Sequence, residues 1–181
     1  MTYIGLIRGI NVGGNKIVKM ADLRGMLSGM GFENVRTLLQ SGNFVIEAQE
    51  GSPEALREKI QATAKTRLRV DAEFFIFSPG QWQSIIDNNP FPDAASEYPS
   101  KLVVYLGRDP IKATDLEPLE NYRIPSERLK AISGAVYIDC PEGIGTSKML
   151  SSKPWCKLSA TGTVRNWNTV TKLATLAGIN T

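Results

Sequence analysis

The sequence predicts an α+β protein: a ferredoxin-like (βαββαβ) plait subdomain over residues 1–88, a Pro-rich linker at 89–101, and a second, smaller α+β subdomain over 102–181 packed on the first. Three observations predict it. Short apolar runs alternate with helix-periodic segments through the first eighty or so residues, in the order of the split βαβ unit. The stretch "NPFPDAASEYPS" carries three prolines. Beyond it, "ERLKAI" and "AVYIDC" flank Ser133-Gly134 as a hairpin.

Taken in order, "YIGLI" (3–7) reads as a strand. Leu23, Met26, Leu27 and Met30 fall at i, i+3, i+4 and i+7, one face of a helix, and Gly31 stops it. "NVRTLL" and "NFVIEA" are strand-like and flank "QSGN" (40–43), a hairpin turn. "SPEALREKIQATAKTRL" reads as a second helix, with Ser52 as its cap and Pro53 in its first turn. "AEFFIF" supplies a fourth strand, and "PGQWQSIIDNN" a further helix. After the linker, "KLVVYL" is a strand and "ATDLEPLENY" is partly helical, broken by Pro118. The chain closes with "GIGTSKML" and a terminal helix over "TVRNWNTVTKLATLAG" that stops at Gly178. No internal repeat is visible in the sequence.

Composition excludes several chemistries. Histidine is absent from the 181 residues, which removes imidazole-based metal sites and Ser-His-Asp or Cys-His catalysis. No metal or cofactor is expected. Only Cys140 and Cys156 are present, which suits a reducing cytoplasm and offers no disulfide framework. The longest wholly apolar runs are four or five residues, so no membrane span is expected. Net charge is +3, but residues 1–40 carry +3, residues 140–181 carry +4 and the middle carries −4. Two basic ends favour an anionic partner.

The connection "RGINVGGNK" combines one guanidinium, three glycines, two asparagines and a lysine. In an antiparallel sheet ordered 4-1-3-2, this loop, the "QSGN" hairpin and the "KTRLRVD" connection emerge at one end. That end gathers Arg8, Lys16, Lys65, Arg67 and Arg69 around Asn11, Asn15, Ser41 and Asn43, against Asp71 alone. Gly9, Gly13 and Gly14 allow positive φ and leave backbone N–H groups unshielded, the makings of an anion nest. Gly and Asn also serve ordinary tight turns, so the motif alone does not separate the two roles. "GIGTSK" has the chemistry of a phosphate cradle around Lys148, without the P-loop spacing. Plotted as a helix, Arg165, Asn168, Thr169 and Lys172 share one face, with Trp167 in the core and Asn166 toward the apolar side.

"RGINVGGNKIVKMADLR", "LQSGNFVIE", "EGIGTSKM" and "TVRNWNTVTKL" together resemble the family called domain of unknown function 1697, across nearly the whole chain. The resemblance implies a bacterial cytoplasmic protein with two α+β subdomains, the first plait-like, and it implies no activity. Thr146 departs from it, since many relatives carry a basic residue there.

The leading expectation is a binding protein for a phosphorylated or other anionic ligand, a nucleotide or single-stranded nucleic acid. Its candidate contacts are Arg8, Asn11, Gly13, Gly14, Asn15, Lys16, Ser41, Asn43, Lys148, Arg165 and Asn168. An RNA-recognition sheet is disfavoured because Phe44 shares its face with Ile46 and so belongs to the core. The alternatives are a His-free, metal-independent enzyme acting on a small phosphate or carboxylate substrate, and a structural or protein-interaction role.

Overall fold

Alternating strands and amphipathic helices need a second layer to cover each apolar face, and this chain meets that need twice. The computed structural model describes residues 1–13, 16–49 and 51–180. It divides into two compact units: Met1–Ser84 with the residues from Lys172 onward, and Ile85–Thr171.

The first unit holds β1 (Thr2–Ile7), α1 (Met20–Gly29), β2 (Glu33–Leu38), β3 (Asn43–Glu47), α2 (Pro53–Arg67) and β4 (Phe74–Phe77). α3 (Pro79–Asp87) follows. The four strands form one antiparallel sheet in the order β2-β3-β1-β4. Alternation along each strand puts Tyr3, Ile7, Phe44, Ile46, Phe74 and Ile76 into one core with Leu23 and Leu27 of α1 and Leu56 and Ile60 of α2. Phe44 is therefore a core residue, as the sequence predicts. Ile4, Leu6, Val45 and Phe75 on the opposite face are buried too, which explains why β1 reads as a continuous apolar run. Ser52 caps α2, its hydroxyl accepting from the Ala55 N–H at 3.2 Å, with Pro53 in the first turn.

One contact constrains this sheet more than the others. Gly5 stands opposite Phe44 across the β1–β3 pair. A Cβ on Gly5 would lie only 2.0 Å from the Phe44 ring, so the aromatic side chain occupies the space a larger residue would take.

The second unit contains α4 (Pro92–Glu97), β5 (Leu102–Gly107), β6 (Arg128–Ile132), β7 (Ala135–Asp139), α5 (Lys153–Leu158), β8 (Gly162–Asn166) and the start of α6 (Trp167–Leu176). A 3-10 helix, Ala113–Tyr122, joins β5 to β6. The sheet order β6-β7-β5-β8 matches that of the first unit strand for strand. The repetition lies in topology alone, out of reach of a search for similar segments. Its core gathers Val103, Tyr105, Leu119, Val136, Ile138 and Trp155.

Two expectations change. The stretch 89–101 is not all linker, because Pro92 opens α4 in the first turn, where its missing N–H is harmless. Arg128 ties that helix to the sheet edge, donating to Asp93 at 2.6 Å and to buried Asp139 at 2.7 Å, with its guanidinium 4.6 Å from the Phe91 ring centroid. The hydrogen bond from Arg128 holds the Asp93 carboxyl below its ordinary value. The predicted terminal helix begins later than expected. Residues 162–166 pair with β5 as β8, with Tyr105 opposite Val164, and the cross-strand ladder overrides the local helical period. α6 then starts at Trp167, capped by Asn166, whose Oδ1 accepts from the Thr169 N–H at 3.0 Å and its hydroxyl at 2.8 Å.

These contacts set opposite expectations for two glycines. Gly5→Ala should destabilise the protein by about 1–3 kcal/mol, since Phe44 has to move in a close-packed core. Gly25→Ala, within α1 and facing open space, should stabilise it by roughly 0.8–1 kcal/mol. Urea denaturation of both variants measures the two shifts.

Candidate functional site

Antiparallel pairing dictates where the loops of the first unit emerge. The exit of β1, the β2–β3 hairpin and the entry to β4 lie at one sheet end. Ile7 N–H donates to Gly42 O at 2.7 Å and Arg8 N–H to Glu73 O at 2.9 Å. Arg8, Asn11, Gly13, Lys16, Ser41 and Asn43 are thereby brought to one rim. Gly14 and Asn15 lie outside the described residues.

Asn11 holds the rim closed. Its amide nitrogen donates to Val18 O at 2.9 Å and Gln40 O at 2.6 Å, while its oxygen accepts from Val18 N–H at 2.8 Å. One side chain thus closes its own loop and fastens it to the neighbouring hairpin. Buried Asn43 does similar work inside that hairpin, donating to Leu38 O at 3.0 Å and to the Ser41 hydroxyl at 2.9 Å. Gly42 needs to be glycine on two counts: its φ is +77°, and a Cβ would meet Ile7 and Ile10 at 2.8 Å. Asn11, Asn43 and Ser41 therefore use their polar groups to shape the rim.

The backbone of the loop is left-handed at Gly9, Asn11, Gly13 and Lys16. Asparagine and glycine adopt that region with little penalty; lysine does so less readily. Beside this loop is a pocket of about 510 Å³ lined by Arg8, Gly9, Lys16, Gln61, Asp71, Ala72 and Glu73. Its charges are mixed, where the sequence predicts a basic rim. Arg8 donates to Glu73 at 3.1 Å, both half-exposed, and Lys65 lies 3.3 Å from Asp71. Glu73 is the residue that sequence reasoning missed. Extending the β1–β4 register by one step from the Ile7–Phe74 pair sets it opposite Arg8, so the signal was present in the strand order. Three exposed apolar side chains, Val12, Ile17 and Leu39, also belong to this loop and hairpin.

The other candidates belong to the second unit. Lys148 is exposed on the turn after Gly143, and the hydroxyls beside it are engaged within the loop. Thr146 donates to Gly143 O at 2.9 Å, and Ser147 accepts from Leu150 N–H at 3.2 Å. Arg165 lies on β8, not on a helix, and Asn168 lies in α6, so the expected shared face does not form. The Arg165 guanidinium donates to the Thr163 hydroxyl at 2.6 Å and to Val164 O at 2.8 Å. Burial lowers its pKa to about 10, which still leaves it charged at neutral pH. Behind the Gly143 turn, burial pushes the Cys140 thiol up to about 12, with the Glu127 carboxylate acting in the same direction. Cys156 is exposed. Among the described residues there is no group of three or more Cys, Asp or Glu placed to hold a metal ion, and no helix is long and apolar enough to cross a membrane.

Two outcomes follow from these environments. Asn11→Ala should cost about 1–3 kcal/mol by stranding the Val18 groups, and Asn11→Asp should cost at least as much, since it keeps the acceptor but sets a carboxylate oxygen against the Val18 and Gln40 carbonyls. Chemical denaturation of the pair separates these effects. With Ellman's reagent at pH 8, the native protein should show one fast thiol, Cys156, and the urea-unfolded protein two. Two fast thiols in the native state would contradict the burial of Cys140.

Comparison with curated proteins finds no match. Among solved structures, the chain is similar to a conserved bacterial protein, SP0830 from Streptococcus pneumoniae, with 22% sequence identity and a TM-score of 0.75 over 97% of this chain and 98% of that one. That likeness concerns the fold. The model of the family described as "Protein of unknown function (DUF1697)" matches residues 1–137, and the chain belongs to that family.

Proposed function

We propose that the rim pocket of the first unit binds a small phosphorylated ligand of the nucleotide class. One observation carries this reading: Arg8 and Lys16 share a pocket of about 510 Å³ with Asp71 and Glu73. A guanidinium and an ammonium suit phosphate oxygens. Carboxylates suit the hydroxyl donors of a sugar, and Val12, Ile17 and Leu39 nearby offer apolar surface for a base. A purely basic rim would favour a polyanion. Here the pairs Arg8–Glu73 and Lys65–Asp71 offset the positive charge, which favours a ligand with both acceptors and donors over a nucleic-acid strand.

The architecture supports the finer fold assignment as well. We read the first unit as a ferredoxin-like plait, from its β-α-β-β-α-β order and its sheet order β2-β3-β1-β4. The two free cysteines support a reducing, cytoplasmic setting.

A thermal-shift series with AMP, ATP, GTP and inorganic phosphate tests the function. A ligand at a hundred times its Kd stabilises the fold by about 2.7 kcal/mol, several degrees in a chain of this size. Arg8→Ala should weaken nucleotide binding about tenfold or more while changing stability by less than about 1 kcal/mol, since its ion pair is half-exposed. Binding insensitive to Arg8→Ala would remove the pocket from consideration. A loss of roughly a thousandfold between 50 and 200 mM salt, seen with oligonucleotides only, would favour nucleic acid instead.

A further inference from the structure

The two units share one order of strands and helices, yet their helical layers differ in kind and in total length. In the first, α1 and α2 span ten and fifteen residues and bury Leu27 and Ile60 completely. In the second, the matching segments are the 3-10 helix Ala113–Tyr122 and the six-residue α5. Pro118 lies inside the former, where it has no N–H to give to a continuous α-helical ladder. Between these two segments runs a groove of about 680 Å³, within the range of small-molecule sites.

The groove joins two chemistries. Ile111, Pro118, Pro154 and Leu158 give it an apolar floor and walls. Lys153 and Lys157, also lining it, stand four residues apart on α5, so their side chains lie on the same side of the helix. Among the described residues neither lysine forms an ion pair, and both are exposed. The one acidic residue in the lining, Asp115, is committed to its own helix, where its carboxylate accepts from the Lys112 N–H at 2.8 Å. The groove therefore presents apolar surface beside two cations and one occupied carboxylate.

We propose that this groove is a second binding site, for a small amphipathic anion: an alkyl chain ending in a carboxylate. The apolar lining takes the chain, and the Lys153–Lys157 pair takes the acid. Burying the alkyl body supplies affinity, and the paired ammonium groups select an anion over a neutral analogue of equal length. The site belongs to the second unit and does not depend on the rim reading.

Titration of the full chain with decanoate below its micelle concentration, followed by amide chemical shifts, tests the proposal. Shifts should concentrate in residues 111–118 and 153–158. Decanol should bind about tenfold more weakly or worse. Lys153→Glu with Lys157→Glu should abolish decanoate binding at an unchanged melting temperature, because both side chains are exposed. Lys153→Gln with Lys157→Gln gives the same reading without charge reversal should the first pair fail to fold. Equal affinity for decanol and decanoate, shifts confined elsewhere, no binding at millimolar decanoate, or full affinity in the Gln pair would each overturn it. Tighter binding of a Leu-Glu-Leu-Glu peptide than of decanoate would also overturn it, in favour of a protein partner.

Discussion

The rim of the first unit depends on a single amide. Asn11 satisfies three backbone groups, two across its own loop at Val18 and one in the next hairpin at Gln40. Without it, the loop carrying Arg8 and Lys16 would lose this side-chain tie to the neighbouring hairpin at Gln40. The same residue sits at φ +57°, a region asparagine tolerates better than most side chains. Conformational tolerance and hydrogen-bonding capacity are here needed at one position, which narrows the choice of residue sharply. On the function proposed above, preorganisation of this kind would let the loop hold its cations in place without spending ligand affinity on ordering itself.

Much of the fold was legible in the sequence, because alternation and 3.6-residue periodicity report burial directly. The helix over Leu23–Leu27, the Ser52 cap and the Ser133-Gly134 hairpin all rest on local signals. What local signals do not carry is pairing at long range. Thr163–Asn166 has an acceptable helical pattern, and only its ladder with β5, some sixty residues earlier, makes it a strand. The candidate site was legible in the same uneven way. Strand directions brought Arg8, Asn11, Lys16 and Asn43 to one end, yet composition could not distinguish an asparagine that shapes a loop from one that meets a ligand. Glu73 was hidden for a different reason: its importance comes from the residue opposite it, and its own neighbours give no hint.

The two units handle charge differently. In the first, the ion pairs of Arg8 and Lys65 are solvent-facing and screened, so they shape potential more than stability. In the second, Arg128 reaches a fully buried carboxylate on Asp139 while stacking over Phe91. Removing one partner of such a pair strands the other in a low-dielectric setting, a heavier loss than the pair itself is worth. The edge strand β6 is accordingly fastened to β7 by electrostatics as well as by its ladder.

The first unit is not continuous in sequence. Its strands are complete by Phe77, but the residues from Lys172 onward also belong to it, and the whole of Ile85–Thr171 is made in between. During synthesis, at roughly 5–20 residues per second, the early segment has to wait several seconds for its last piece. Over that interval the segment Met1–Ser84 exists without the remaining residues of its unit. The unit is thus made in two instalments, with the whole of Ile85–Thr171 translated between them.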